Sequence, residues 1–331
     1  MALTFVTLII SAILIYLSCE LFVNGIEWVG LRYNISKNAV GTILAAFGTA
    51  LPESVVTFIA VVFGTNANQK DIGVGAALGG PLVLSTLAYA IVGLGIIFFR
   101  KKRVHGINID LSNSKLGRDQ LWFLGIFVFK VALGFVVFRG KPLMAFLFLA
   151  AYGLYFFTEM KETADNHNEI LEPLKFRPKT KNPETRWVLV QTFLSLALIA
   201  VGSQVFVKNL DHLSLAIGIA PHIIALFLSP IATELPEILN AVIWVRQGKE
   251  RLALANISGS MMIQATVPSA LGILFTPWIF DSYLALAGFF TMVSIAFLWL
   301  TLKKYQLSAN KLVLAAGFYV CFVVTVALIH S

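Results

Sequence analysis

The chain has 331 residues, of which 58% are hydrophobic and 13% are charged, and its mean hydropathy is +0.84. This composition excludes a water-soluble globular protein and indicates that the lipid bilayer is the solvent. The formal net charge of +8 does not indicate nucleic-acid binding, because the Lys and Arg residues stand in short segments between apolar runs. Cys19 and Cys321 lie far apart inside apolar runs, so they provide neither a disulfide framework nor a metal-binding spacing.

Apolar runs of helix length predict an all-α membrane protein with ten transmembrane helices. A helix needs about 20 mostly apolar residues to cross a hydrocarbon core of about 30 Å. The first run lacks a basic leader and a small-residue cleavage pattern, so we interpret it as a helix of the mature protein. The ten predicted spans cover approximately residues 4–28, 38–63, 72–99, 120–138, 142–158, 187–207, 218–245, 252–275, 281–302 and 311–329.

The basic residues between these spans predict the orientation of the chain. If alternate loops lie on alternate sides, 20 of the 25 Lys and Arg residues fall on one side. The other side holds Lys70, Arg139, Lys141 and Lys208, and Lys130 lies inside the fourth span. Loops rich in Lys and Arg face the cytoplasm in membrane proteins. We therefore expect a multi-pass protein of the cell membrane with both termini extracellular.

The two halves of the sequence resemble each other. A shift of 184 residues aligns residues 21–87 with residues 205–271 without a gap, and sixteen positions are identical. Each copy contains five predicted spans, and an odd number reverses the orientation of the second copy, which is typical of secondary transporters with a midplane substrate site. We predict two inverted five-helix repeats joined by a charged, proline-rich cytoplasmic linker, with bounds at residues 1–160, 161–186 and 187–331.

The densest identity between the copies is a proline-containing motif in mid-span. The second span contains GTALPE at residues 48–53, and the seventh contains ATELPE at residues 232–237. A proline cannot donate a hydrogen bond to the carbonyl four residues earlier, so each motif frees one carbonyl, that of Gly48 or that of Ala232. A freed carbonyl is costly in hydrocarbon unless a polar group meets it.

Acidic and hydroxyl side chains accompany each freed carbonyl. Glu53 and Glu237 directly follow the prolines, and Thr49 and Thr233 lie on the same turns. Carbonyl, hydroxyl and carboxylate oxygens at one depth are the hard ligands that Ca²⁺ and Na⁺ require. Carboxylates buried together need a cation or protons as countercharge, so these four residues are predicted to bind a transported cation.

Two further polar residues are predicted to belong to the same site. Glu234 stands three residues before Glu237 and roughly shares its helix face, which would supply a third acid. Gln264, in the eighth span, offers an amide oxygen where the first repeat has Gly80. For both residues the alternative is a hydrogen bond that only holds two helices together.

The paired motifs resemble the two α-repeats of the calcium/cation antiporter superfamily, particularly its sodium/calcium exchanger-like prokaryotic members. The resemblance covers both halves of the chain and implies ten helices, outward termini and a central core from helices 2, 3, 7 and 8. It also implies alternating access by movement of helices 1 and 6 across that core. The ligands that it implies are Glu53 and Glu237, with Thr49 and Thr233 beside them.

The chain departs from the family pattern at three positions. Ala50 and Glu234 stand where the family often has Ser, and Gly80 supplies no side-chain ligand. The resemblance places the fourth span at the periphery, so we expect Lys130 to snorkel or to form a structural pair outside the site. The site is therefore predicted to be asymmetric, with Gln264 as the remaining amide ligand.

The function that these features predict is secondary antiport of Ca²⁺ against Na⁺ or H⁺ at a midplane carboxylate site. The ions are the substrates, no cofactor or nucleic acid is expected, and the functional unit is expected to be a monomer in the lipid bilayer. The alternatives are a Ca²⁺/H⁺ or other divalent-cation exchanger, a cation channel and a membrane-embedded metal-dependent enzyme. An enzyme lacks support from a zinc-binding HExxH sequence or from a nucleophile with a base.

Overall fold

The computed structural model describes residues 2–32, 45–100, 106–109, 116–162, 172–304 and 307–330. These residues are helical or irregular, and their only β-type pairing is an isolated bridge between Asn108 and Ser308. The prediction of an all-α membrane protein is therefore confirmed. The helices are α1 (Ala2–Arg32), α2 (Ala45–Phe63), α3 (Ala67–Val83), α4 (Tyr89–Phe99), α5 (Leu116–Leu133), α6 (Ala145–Glu162), α7 (Thr185–Ile217), α8 (Pro221–Thr233), α9 (Leu235–Arg246), α10 (Glu250–Phe275), α11 (Ser282–Lys304) and α12 (Ala309–His330).

Helical segments occupy each of the ten predicted ranges, but not all of them have the length and composition of a membrane span. Within the described residues, seven helical segments are long and apolar enough to cross a bilayer, or eight when α8 and α9 count as one bent span. The described side chains of α2 cover only Ala50–Phe63, which is shorter than a full span, and α5 carries three charged residues. The ten spans and the inverted repeat therefore stay predictions.

The largest extensions beyond a predicted helix end are those of the third and sixth spans. The third span starts at Ala67 because the side chain of Asn66 caps it by accepting a hydrogen bond from the backbone N–H of Gln69. This helix continues through a π-helical turn, Leu84–Ala88, into α4. The sixth span continues to Ile217, because polar residues end an apolar run without ending a helix; α7 stops at Gly218, whose φ of 71° is left-handed.

The helices nearest the paired motifs form the centre of the fold. Helices α2 and α3 pack against each other and against both α8 and α10, and α1 packs along α7 on one side of them. Glycines allow the close crossing of α3 and α8. A Cβ atom at Gly75 would lie 2.2 Å from the carbonyl oxygen of His222, and one at Gly79 would lie 2.6 Å from that of Leu226. Close backbone approach at small residues is the usual way in which helices associate in membranes.

The two proline motifs have different backbone structures. Helix α2 runs without a break through Pro52, whereas the seventh span is divided at Glu234 into α8 and α9, whose axes differ by 44°. Pro236 lies in the first turn of α9, where its missing N–H costs no helical hydrogen bond. Although both motifs contain a proline in mid-span, only the second copy has a broken helix.

The described part of the predicted linker packs against α1. The side chains of Asn24 and Trp28 donate hydrogen bonds to the carbonyl of Glu172, at 3.4 and 3.0 Å, and the backbone N–H of Lys175 donates to Asn24 Oδ1 at 2.9 Å. Residues 163–171 of the linker lie outside the described residues. The described residues that precede α7 are thus attached to α1 through Glu172 and Lys175.

Candidate functional site

Four polar side chains meet where α8 and α9 join. Thr233 Oγ1 lies 2.9 Å from Glu53 Oε2 and 2.8 Å from Glu234 Oε1, and the amide of Gln264 donates a 2.7 Å hydrogen bond to Glu234 Oε2. All four side chains have no exposed surface. Helix α2 supplies Glu53, the α8–α9 break supplies Thr233 and Glu234, and α10 supplies Gln264. The structure therefore brings together four of the predicted site residues, which we call the acid cluster.

The hydrogen bonds of the acid cluster do not neutralise it. The hydroxyl of Thr233 has one proton but three acceptors within reach, namely the two carboxylates and the carbonyl of Ser229 at 3.1 Å. The carboxylates of Glu53 and Glu234 lie on either side of Thr233 Oγ1. One Ca²⁺ ion, which binds oxygen atoms at about 2.3–2.6 Å, could therefore contact both of them. Buried carboxylates in this arrangement require a cation or a proton as countercharge.

An amide oxygen of the acid cluster is also available to a cation. Gln264 uses its Nε2 atom to bind Glu234, while its Oε1 atom is buried and has no hydrogen-bond partner among the described residues. A buried carbonyl oxygen without a donor is costly, and a cation would satisfy it. The donor set of carboxylate, hydroxyl and amide oxygens therefore fits a hard cation.

Sequence reasoning missed one contact of the acid cluster. Thr57 Oγ1 lies 3.4 Å from Glu53 Oε1, on the opposite side of that carboxylate from Thr233. The available signal was spacing, because Thr57 follows Glu53 by four residues and so lies on the same face of α2. Thr57 therefore helps to orient Glu53 within the site.

The other predicted ligands lie near the acid cluster in the chain. Ala232 is buried at the end of α8, and Glu237 is buried in the first turn of α9. Gly48 and Thr49 belong to the start of α2, and their side-chain environment lies outside the described residues. The described contacts thus join Glu53 to Glu234, not to Glu237, and the ligand roles of these residues stay predictions.

Lys130 does not snorkel, so that one of the two expected alternatives was wrong, and its partner is a backbone carbonyl. Its side chain has no exposed surface, and Nζ donates a 2.6 Å hydrogen bond to the carbonyl of Ala77 on α3. The peripheral position of the fourth span did not show which way this side chain points. Lys130 is directed toward the centre of the helix bundle.

Because Gly80 has no side chain, the oxygen atoms of Gln264 and Glu234 can lie close to α3 at this position. A Cβ atom at this position would lie 2.7 Å from Gln264 Oε1 and 3.0 Å from Glu234 Oε1. Both distances are shorter than van der Waals contact, so a methyl group would displace the two oxygens.

Gly80→Ala is therefore expected to lower the apparent affinity for Ca²⁺ about tenfold, which corresponds to a steric cost of about 1.4 kcal/mol. The measurement is the initial rate of Ca²⁺ uptake into proteoliposomes as a function of Ca²⁺ concentration. Gly125→Ala is the matched control, because a Cβ atom there would meet nothing within 4 Å. Equal affinities for the two variants would contradict this description of the site.

A multi-helical membrane protein with buried acids at a helix break belongs to the class of ion transporters. The family model for the sodium/calcium exchanger protein matches residues 3–161 and 187–328, and the chain belongs to this family. Members of this family are transporters, so the chain is a membrane transporter and not an enzyme. The resemblance inferred from the paired motifs is thereby confirmed.

Relatives and solved structures agree with this family. The inner membrane protein YrbG of Escherichia coli is 24% identical over 277 residues, which cover 82% of this chain and 79% of the relative. The fold is similar to that of the sodium-calcium exchanger NCX_Mj, with a TM-score of 0.62, 21% identity and 98% of each chain covered. It is also similar to that of the H⁺/Ca²⁺ exchanger CAX, with a TM-score of 0.75, 16% identity, and coverage of 98% of this chain and 82% of CAX.

Proposed function

We propose that the chain is a secondary antiporter that exchanges Ca²⁺ for Na⁺ or H⁺ at the acid cluster. The observation that carries this proposal is the pair of buried carboxylates, Glu53 and Glu234, on either side of the Thr233 hydroxyl. The pair lies at a helix break in the middle of the bundle, and half-helix ends of this kind form ion sites in secondary transporters. The sodium-calcium and H⁺/Ca²⁺ exchangers of similar fold support the choice of ions.

The donor set favours hard cations over transition metals. The acid cluster offers carboxylate, hydroxyl and amide oxygens, which suit Ca²⁺ and Na⁺ better than softer ions. Within the described residues, no three His, Cys, Asp or Glu side chains converge closely enough to hold a metal ion, and the two acids that meet are Glu53 and Glu234. We propose that the carboxylate of Glu237, the hydroxyl of Thr49 and the backbone carbonyls of Gly48 and Ala232 complete the coordination of the transported ion.

Electrostatics explains why transport at this site is an exchange. An empty acid cluster would carry uncompensated negative charge in a region that excludes water, and moving it through the bilayer would be costly. The acid cluster can therefore become accessible to the first side of the membrane again only when Na⁺ or protons are bound to it. The same oxygens serve both ions, which couples the two fluxes.

The helix packing supports alternating access. Helices α1 and α7 pack along each other and also contact α2 and α8, which carry Glu53 and Thr233. We propose that this pair moves across the central helices and exposes the acid cluster first to one side and then to the other. Ten spans in two inverted repeats, a location in the cell membrane, extracellular termini and a functional monomer belong to the same proposal.

Uptake of radioactive Ca²⁺ into proteoliposomes tests the proposal. We expect uptake to be driven by an outward Na⁺ gradient or by a pH gradient, and a response to only one of them identifies the coupled ion. A Ca²⁺/H⁺ exchanger, the second candidate, responds to the pH gradient alone. Equal uptake without either gradient, together with single-channel currents, would contradict the proposal and indicate a channel.

A further inference from the structure

Lys130 is a buried cation that the proposed exchange cycle has not yet used. It lies near the end of α5 with no exposed surface, and Nζ donates to the carbonyl of Ala77 at 2.6 Å. The ammonium also lies 4.8 Å from the centre of the Phe127 ring and 5.9 Å from that of the Trp278 ring. Aromatic faces attract a cation, so these contacts suit the charged form of the side chain.

One reason for a hydrogen-bond donor beside the Ala77 carbonyl is the backbone structure of α3 itself. Ala77 precedes Pro81 by four residues within α3, and proline has no N–H to donate to that carbonyl. Lys130 replaces the missing donor. A neutral amide would do so equally well, whereas a buried ammonium carries a large desolvation cost unless negative charge lies nearby.

The negative charge is that of the acid cluster. Ala77 and Gly80 are three residues apart on one face of α3, and Gly80 lies against Glu234 and Gln264. The ammonium that binds the Ala77 carbonyl is therefore about one helical turn from the acid cluster. It also interacts electrostatically with Glu53.

We propose, on the basis of the proposed antiport, that Lys130 is a resident countercharge of the ion site and makes the exchange electroneutral. In the proposed ion-bound site Glu237 joins Glu53 and Glu234, so the three carboxylates would carry a summed charge of −3, which Lys130 reduces to −2. One Ca²⁺ ion or two monovalent cations balance that sum. Each cycle then exchanges one Ca²⁺ for two monovalent cations and moves no net charge across the membrane.

A second buried lysine provides a matched control. Lys141 is 5% exposed, and its Nζ donates to the carbonyls of Val136 and Trp278, at 2.8 Å each. It therefore satisfies backbone carbonyls as Lys130 does, but within the described part of the chain its hydrogen bonds go to Val136 and Trp278 and not to an acid of the site. Its replacement tests the loss of a buried lysine without loss of the countercharge.

The test is the voltage dependence of Ca²⁺ uptake into proteoliposomes whose membrane potential is set with K⁺ and valinomycin. We expect the uptake by the wild-type protein to be independent of the potential. Lys130→Gln keeps a donor for the Ala77 carbonyl but removes the charge, so a third monovalent cation is needed and each cycle moves one net charge. The equilibrium accumulation of Ca²⁺ by this variant should then change about tenfold for each 60 mV.

Lys141→Gln is expected to retain the potential-independent uptake of the wild-type protein. Potential-dependent exchange by the wild-type protein would overturn the inference, and this measurement does not require any variant to fold. Potential-independent exchange by folded Lys130→Gln would overturn it as well. If the wild-type protein shows no gradient-driven uptake at any potential, the proposed antiport itself fails, which separates that failure from the failure of the countercharge.

Discussion

Replacing Glu53 with Gln is expected to reduce gradient-driven Ca²⁺ uptake about 100-fold or more. Glu53 contacts Thr233 with one carboxylate oxygen and Thr57 with the other, so its charge lies in the middle of the site. Gln keeps the shape of the side chain but removes one unit of negative charge from a buried cation site, where loss of a charged partner costs about 3–5 kcal/mol. The measurement is the initial rate of uptake into proteoliposomes under the gradient that drives the wild-type protein.

The control for this variant is Glu20→Gln. Glu20 lies in the membrane-spanning helix α1, but it is exposed and accepts a 2.7 Å hydrogen bond from the hydroxyl of Tyr16. Its replacement removes one acid from the membrane without affecting the acid cluster, so uptake should stay within about twofold of the wild-type rate, as is usual for surface substitutions. Near-normal uptake by Glu53→Gln, or equal losses in both variants, would contradict the assignment of Glu53.

Replacing Glu234 with Gln is expected to weaken Ca²⁺ binding about 10- to 100-fold, because loss of a charge-assisted contact costs about 1.5–3 kcal/mol. Glu234 accepts hydrogen bonds from Thr233 and Gln264, and it is the side chain that departs from the serine of the related family motif. Gln can still accept hydrogen bonds at one carbonyl oxygen, so a purely structural role would be largely retained. The measurement is calorimetric titration of purified protein with Ca²⁺.

The result for Glu234→Gln separates the two roles that the sequence leaves open. Weaker Ca²⁺ binding with unchanged thermal stability indicates a ligand. Unchanged Ca²⁺ binding with little change in thermal stability indicates a helix-to-helix hydrogen bond and would remove Glu234 from the site. Glu237→Gln, measured in parallel, shows whether the acid that the repeat alignment pairs with Glu53 contributes as well.

The sequence was sufficient to predict the class of the protein and half of its candidate site. Hydrophobic runs reveal membrane helices because the bilayer requires long apolar segments. The repeated motif led to Glu53 and Thr233, which lie 2.9 Å apart although 180 residues separate them in the chain. The extra acid of the second motif, Glu234, completes the pair that the structure joins.

The direction of Lys130 could not be predicted from the sequence. Helix α5 is apolar on most of its surface, so periodicity does not distinguish the lipid-facing side from the side that packs against α10 and α11. The direction of the Lys130 side chain depends on where its hydrogen-bond acceptor lies. That acceptor is the backbone carbonyl of Ala77, which Pro81 leaves without a donor. Pro81 shows that this carbonyl lacks a helical donor, but it does not show which helix supplies the replacement.

The sequence also does not predict the structural difference between the two proline motifs. A proline inside a helix removes one hydrogen bond, but the helix can continue, as in α2 at Pro52, or break, as at Glu234. Both motifs contain the same Pro-Glu pair, so the motif alone does not predict whether the helix continues or breaks. Tertiary packing decides the outcome.

The most direct test of the central claim is to locate the bound ion. Crystals of the protein soaked in Sr²⁺, which replaces Ca²⁺ and scatters anomalously, would show its position in an anomalous difference map. We predict a peak between the carboxylates of Glu53 and Glu234, at about the 2.3–2.6 Å typical of Ca²⁺–oxygen contacts. A map with no peak at these carboxylates, or with a peak only at a site that neither of them contacts, would contradict the claim.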